Sequence, residues 1–401
     1  MASRFGWVDQ DDKQRQAMIA VVELFKDEST VDELGIGSIR DSLADTLFPG
    51  TSVLLTRARY LLMIPWLLQH VTASCSEPGE ATAQLRELEA RLIHSLLRGD
   101  EQDGLIGRQA KDELKRMPSA AYWNALGHFG LRKSPLSIEG LLRQGIGSRR
   151  AHRGAVTPDD PGAERDVQAA LLHPDLPTAP EDLLTSSTLT LTATEADFLR
   201  DRMEKSSTGT LYAWLLGQGV PSNTAYVWRH EMASSFPSDA AEVVDGGRRF
   251  HTLVHGAALA YNSLLARERE ANGLVEVYQD RIVEWSAELD AEQPLADGWG
   301  VARLWPLMAR RGTPVRPKTQ DFVTQWVAAV AEHGGAAATK PAVFDLVRQR
   351  EIALKGGRAR LVNREALIAW TGGSGLVRLD YRWAVAQRLM NDVFTSTQEA
   401  A

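Results

Sequence analysis

Apolar residues return every three or four positions along most of this chain, the spacing of helices with one buried face. Residues 13–25 place Ala17, Met18, Val21, Val22 and Phe25 largely on one side. After Leu34-Gly35-Ile36-Gly37, where two glycines suit a tight turn, the spacing resumes over 38–47 through Ile39, Leu43 and Leu47. Phe48-Pro49-Gly50 stops it, because the residue before a proline avoids the helical region. From Tyr60 to Leu68 the chain is apolar almost all round, which predicts a helix buried on every side. That run falls well short of the ~20 apolar residues a membrane crossing needs, and Pro65 interrupts it, so it reads as core.

Amphipathic patterns follow over 81–97, 120–129 and 136–144. The last two are joined by a short glycine-containing break, a spacing shared by helix-turn-helix pairs and plain helical hairpins. Residues 145–180 are rich in glycine, proline, alanine and acidic residues, the composition of a long loop. Leu189 to Thr192 alternates with threonine and could be a short strand, with Thr194 capping a helix over 195–203. Helical spacing returns over 211–216, 224–232, 250–271, 274–289, 319–332, 341–354, 363–370 and 381–394, with a short extended piece at Leu376 to Leu379. The pattern predicts a mainly α chain of two or three helical subdomains, with a helix-turn-helix-like pair and at most short β pieces. Its expected divisions are an N-terminal helical domain at 1–145, a linker at 146–182, a central helical domain at 183–310 and a C-terminal helical region at 311–401.

Composition changes this picture only in part. With 44% hydrophobic and 24% charged residues the chain can bury a core, which excludes wholesale disorder. A net charge of -7 gives no global positive field, so any nucleic-acid contact must use local patches. Two are expected: Arg143, Arg149, Arg150 and Arg153 around the glycines of 145–154, and Lys355, Arg358 and Arg360 around Gly356-Gly357. The single cysteine, Cys75, can form neither an internal disulfide nor a thiolate cluster. No export signal opens the sequence, so a cytoplasmic protein without a membrane anchor is expected. Arg57 and Arg59 lie in an apolar stretch where unpaired charge is costly. The nearest carboxylates in sequence predict a structural ion network of Asp41, Asp45, Arg57 and Arg59.

Candidate chemistry is sparse, and no catalytic residues assemble from the sequence. His251 and His255 have the i, i+4 spacing by which two imidazoles share a metal, but Thr252-Leu253-Val254 between them supplies no carboxylate. They read as a packed or surface pair, and no metal or cofactor is expected. Gly372-Gly373-Ser374-Gly375 comes nearest to a nucleophile elbow, yet it follows a helix where such elbows follow a strand. Phosphate-binding glycine motifs are absent. Asp32, Glu33, Asp41 and Asp45 would be the first carboxylates to test as a magnesium site if the chain were a hydrolase or nuclease.

Asp32-Glu33-Leu34-Gly35-Ile36-Gly37-Ser38-Ile39-Arg40-Asp41, then Leu47-Phe48-Pro49-Gly50-Thr51-Ser52, Arg57-Ala58-Arg59-Tyr60 and Pro65-Trp66, resemble an uncharacterised bacterial family. Phe5-Gly6-Trp7, Pro118-Ser119 with Tyr122-Trp123, His255-Gly256-Ala257 with Tyr261-Asn262, and Trp370 with Tyr381-Arg382-Trp383 extend the resemblance over nearly the whole chain. It implies no assigned activity and no functional residues, but a genomic setting beside helicases in phage-defence islands. The expectation is an accessory, non-catalytic subunit that binds a helicase or nuclease partner, with DNA as a second possible ligand. A metal-dependent hydrolase or nuclease with an acidic site near Asp32 to Asp45 is the alternative.

Overall fold

The computed structural model describes residues 32–110, 113–155, 171–310 and 313–398. The expected helix at 13–25, the Phe5-Gly6-Trp7 motif and much of the glycine- and proline-rich stretch lie outside the described residues. The helices are α1 (Gly37–Leu47), α2 (Tyr60–Ser74), α3 (Pro78–Arg98), α4 (Pro118–His128), α5 (Ile138–Ala155), α6 (Ala193–Ser206) and α7 (Leu211–Gln218). They continue as α8 (Ser238–Glu268), α9 (Asn272–Glu292), α10 (Leu304–Ala309), α11 (Pro317–His333), α12 (Pro341–Lys355), α13 (Arg364–Ile368) and α14 (Trp383–Gln398). The fold is mainly α, as the apolar spacing predicts, and no strand occurs among the described residues; an isolated bridge joins Arg132 and Leu172. Leu189 is extended without a strand partner, its amide instead donating to the Glu101 carboxylate at 2.6 Å. No helix among the described residues is long and apolar enough to cross a membrane.

Two units divide the chain, each assembled from separate stretches. The first takes the described residues up to Leu43 with Ala241–Tyr381, the second Ala44–Ala240 with the described residues from Arg382. The division does not follow the expected boundaries at 145, 182 and 310, because packing between helices far apart in sequence sets it. Residues 146–155 belong to α5 and not to a linker. Their glycines mislead: a Cβ at Gly145 would lie 2.8 Å from Thr72 Cγ2 and 2.9 Å from Leu171 Cδ1, so a helix in close contact requires glycine there.

In the second unit α2 is the central helix, buried from Tyr60 to Leu68 and packed by α3, α4 and α5. Pro65 sits inside it and removes one backbone hydrogen bond, a loss that the apolar area buried along the rest of the helix offsets. The Tyr122 hydroxyl accepts from the amides of Thr56 (2.8 Å) and Arg57 (3.0 Å) and donates to the Arg57 carbonyl (2.8 Å), fixing the entry to α2. Thr192, rather than Thr194, caps α6 through a reciprocal capping box with Glu195. Where a helix was expected at 224–232, a single 3-10 turn, Val227–Arg229, stands instead.

In the first unit α8 is the spine. It starts twelve residues before the expected position, because Gly246 and Gly247 hide its first turns: a Cβ would lie 2.5 Å from Leu304 Cδ2 at the former and 3.1 Å from Tyr381 Cε2 at the latter. The indoles of Trp285 and Trp326 donate to the carbonyls of Thr252 (2.8 Å) and Leu253 (2.9 Å), and Tyr381 donates to that of Gly247 (2.7 Å). These tryptophans are fully buried and aimed inward, so large apolar area and satisfied polar tips coincide.

Candidate functional site

The buried charges find partners far away in sequence. Arg57 Nε donates to both oxygens of Asp392, at 2.9 and 3.1 Å, and the Ala58 amide donates to the same carboxylate at 2.7 Å. Burial pushes the Asp392 carboxyl above its ordinary range, and Arg57 opposes that shift. Arg59 meets Glu195 at 2.8 Å and donates to the Thr188 carbonyl at 2.8 Å. Asp45 receives Arg382 at 2.6 Å, and Asp41 contacts Arg40 at 3.0 Å. The arginines are thus ion-paired, but the expected partners are corrected: helices α14 and α6 supply them, which nearness in sequence does not reveal.

The Asp32-to-Gly37 motif builds a clasp within the first unit. Asp32 accepts from the amides of Ile36 (2.8 Å) and Gly37 (2.7 Å) at the start of α1. Gly35 takes φ +66, and a Cβ there would lie 2.5 Å from Arg350 Nη2, so glycine lets the loop rest on that buried arginine. Arg350 donates to the carbonyls of Leu34 (2.8 Å) and Gly35 (3.2 Å) and to Thr319 Oγ1 (2.8 Å). Glu33, 3% exposed, is paired with Lys355 and with Arg360 at 2.6 Å. Glu351 accepts from Tyr261 Oη (2.7 Å) and from the amides of Arg360 (3.0 Å) and Leu361 (3.1 Å). Burial alone would raise its carboxyl, yet these hydrogen bonds hold it below the usual range.

Lys355 and Arg360 are therefore engaged with buried carboxylates and do not form the expected open basic patch; Arg358 alone of that trio is exposed. Nor do Asp32, Glu33, Asp41 and Asp45 converge as ligands. Among the described residues no group of three or more His, Cys, Asp or Glu side chains is arranged to hold a metal ion.

The histidine pair and the serine motif are packed. His251 Nδ1 lies 2.8 Å from the Leu379 carbonyl, which can only accept, so the ring donates there. Burial first, with Arg378, His251 and Arg281 adding, pushes His255 down to about 3, so it stays neutral near pH 7. Ser374 is 3% exposed, and its amide and carbonyl are both held by the Asn262 side chain at 2.8 Å. A nucleophile must reach substrate, and this serine is sealed against α8.

On α5 of the second unit the arginines separate by face. Arg149 is buried, donating to the carbonyls of Ala73 and Cys75 at the end of α2. Arg143 and Arg150 are exposed and make surface pairs with Glu139 and Glu77. Seven residues apart, they share one helical face with a separation of about 10 Å along the axis, and Gly147 between them opens onto empty space. Exposed ion pairs are worth little, so both guanidiniums remain able to exchange partners. The side chain of Arg153 lies outside the described residues.

The second unit also holds a cleft of about 840 Å³. One wall is the C-terminal half of α2, with Trp66, Gln69, His70 and Ala73; the other is the extended segment 173–184. Pro174, Pro177 and Pro180 recur along that segment every third residue and all line the cleft. Proline fixes φ, so the wall carries little conformational freedom. It is also fastened: Trp66 Nε1 donates to the Pro177 carbonyl (2.7 Å), the His173 amide to the Leu131 carbonyl (3.0 Å) and Ser95 Oγ to the Leu183 carbonyl (2.9 Å). The His173 ring accepts the Asp175 amide at Nδ1 (3.2 Å), leaving its hydrogen on Nε2. Burial, then Arg202, lowers the pKa of this histidine, which keeps it neutral near pH 7. The sequence reading passes over the cleft by treating 145–180 as loop; the three-residue proline period beside an apolar, tryptophan-bearing helix is the signal that could have found it.

No curated protein and no solved structure matches the chain. A family model described as a family of unknown function, DUF6361, matches residues 2–396, nearly the full length on which the motifs above are distributed, and the chain belongs to that family.

Proposed function

We propose that this chain is an accessory, non-catalytic subunit of a bacterial anti-phage defence system, working in the cytoplasm, that binds a helicase or nuclease partner and touches DNA through the outward arginines of α5. The observation that carries the reading is the rigid cleft of the second unit, roomy and preformed, in a molecule whose buried charges are spent on the scaffold. Preorganised walls favour binding because little freedom is lost when a ligand arrives. The defence setting rests on the family resemblance and is an inference by association. The alternative, an acidic metal site near Asp32 to Asp45, is disfavoured because Asp32 caps α1 and Glu33 is neutralised by Lys355 and Arg360.

Affinity purification of the tagged chain from its host, followed by identification of bound proteins, tests this function. A helicase or nuclease in stoichiometric yield is expected. Recovery of the chain alone, or turnover of nucleotide or nucleic acid by the pure protein, would overturn the proposal.

A further inference from the structure

The chemistry of the cleft narrows what its occupant can be. Among the described residues, no lysine or arginine lines it. Its charged side chain is Glu181, exposed and without an ion pair among the described residues, and Asp175 and Asp182 stand exposed on the same segment. Near His173 the charges are mixed, with Arg202 and Lys133 set against Asp175 and Asp201. A phosphate-bearing ligand would therefore meet a carboxylate with no cation lining the cleft to offset it, whereas a cationic group would be drawn in.

Shape adds a second restriction. The remaining lining is mostly aliphatic and prolyl, with Leu176, Leu184 and the three prolines partly open over the buried Trp66 and Leu67, which rewards an apolar anchor. Proline has no amide hydrogen, so a wall with prolines at 174, 177 and 180 is poor in donors and rich in carbonyl acceptors. Gln69, His70 and the Nε2 hydrogen of His173 supply donors. An extended peptide, which offers both N–H and C=O groups along its length, matches such a mixture.

We infer that the cleft takes an extended segment of a partner polypeptide in which an apolar side chain stands beside a lysine or arginine. The apolar group packs against Leu176, Leu184 and the proline wall, and the cation pairs with Glu181. This deepens the proposed function and rests on it, since it names the kind of protein segment that docks.

The probe is an array of immobilised seven-residue peptides carrying every residue pair at the two central positions, incubated with the full chain and with Glu181→Lys and Ala73→Trp. Both positions are exposed, and Ala73 lines the cleft, so an indole there fills the space without entering the core. Wild type should retain apolar–basic pairs at least about tenfold above the same apolar residues paired with glutamate, the size of preference that 1.4 kcal/mol of selectivity produces. Glu181→Lys should remove the charge preference, and Ala73→Trp should abolish retention while melting like wild type. Retention indifferent to charge, a preference for acidic pairs, or binding that survives Ala73→Trp would overturn the inference. Repeating the host purification with Ala73→Trp separates the two levels. A partner that stays bound to this variant overturns the cleft assignment and leaves the adapter function standing; a wild-type chain that selects apolar–basic peptides yet recovers no protein overturns the adapter function itself.

Discussion

Replacing Arg59 with methionine leaves the Glu195 carboxylate, 5% exposed, without the guanidinium that faces it at 2.8 Å. Removing one side of such a pair costs about 3–5 kcal/mol, because the remaining charge has left water uncompensated. Two features place the loss near the lower end, at about 3 kcal/mol. Arg59 Nε has no hydrogen-bond partner, so its removal relieves an orphaned donor, and Glu195 keeps the Thr192 amide at 3.0 Å. Glu195→Gln strands Arg59 instead and should cost about as much, while glutamine preserves the capping box. The double variant buries two neutral side chains, so its loss should not exceed about 2 kcal/mol. At roughly 2–4 °C per kcal/mol for units of this size, each single variant melts about 6–12 °C low and the double about 4–8 °C low, far less than the sum. Scanning calorimetry of the full chain reads all three. Single variants within about 2 °C of wild type, or a double equal to the sum of the singles, would refute the buried-pair reasoning.

Other positions give independent checks. Glu89 is buried and accepts the Ser119 amide at 2.6 Å, and burial pushes its carboxyl up to about 7. Its folded pKa lies above the unfolded value near 4.5, so its contribution to stability is full below that pH and is lost as pH rises through about 7. Glu89→Gln keeps the acceptor and should flatten the fall in melting temperature across that window; an unchanged slope would contradict the assignment. Gly256→Ala would bring a Cβ within 2.2 Å of the Trp285 ring, and the overpacking should destabilise the first unit by about 3 kcal/mol or more in urea titration. On α5, Arg143→Ala with Arg150→Ala should weaken binding to duplex DNA at low salt and reduce the salt slope by about 2, one per lost phosphate contact, with native melting. Arg149→Ala should lower the melting temperature, since its carbonyl partners at the end of α2 lose their donor.

Much of the helical architecture was legible because burial writes a period of three to four into the sequence; α3, with Leu85, Leu88, Leu92, Ile93 and Leu96 buried, is the clearest case. What misled was glycine. At Gly145, Gly246 and Gly247 it marks a close approach inside a helix, whereas composition alone suggests a loop. Ion pairs were half legible: that Arg57 and Arg59 need carboxylates follows from their apolar surroundings, but that Asp392 and Glu195 provide them depends on tertiary packing across 335 and 136 residues. Basic clusters suffered likewise, since helical phase turns Arg149 inward while Arg143 and Arg150 face out, and the end of α12 with the turn after it commits Lys355 and Arg360 to Glu33. The cleft was least visible, because its second wall has no secondary-structure period beyond its prolines.

The central claim is that the charges concentrated in the Asp32-to-Gly37 clasp hold the first unit together and take no part in chemistry or recognition. It is tested most directly by measuring melting temperature and partner recovery on one preparation of Glu33→Ala. Loss of a buried carboxylate from between Lys355 and Arg360 should lower the melting temperature by roughly 6–12 °C, with partner recovery below that temperature equal to wild type. Native melting with the partner lost would contradict the account.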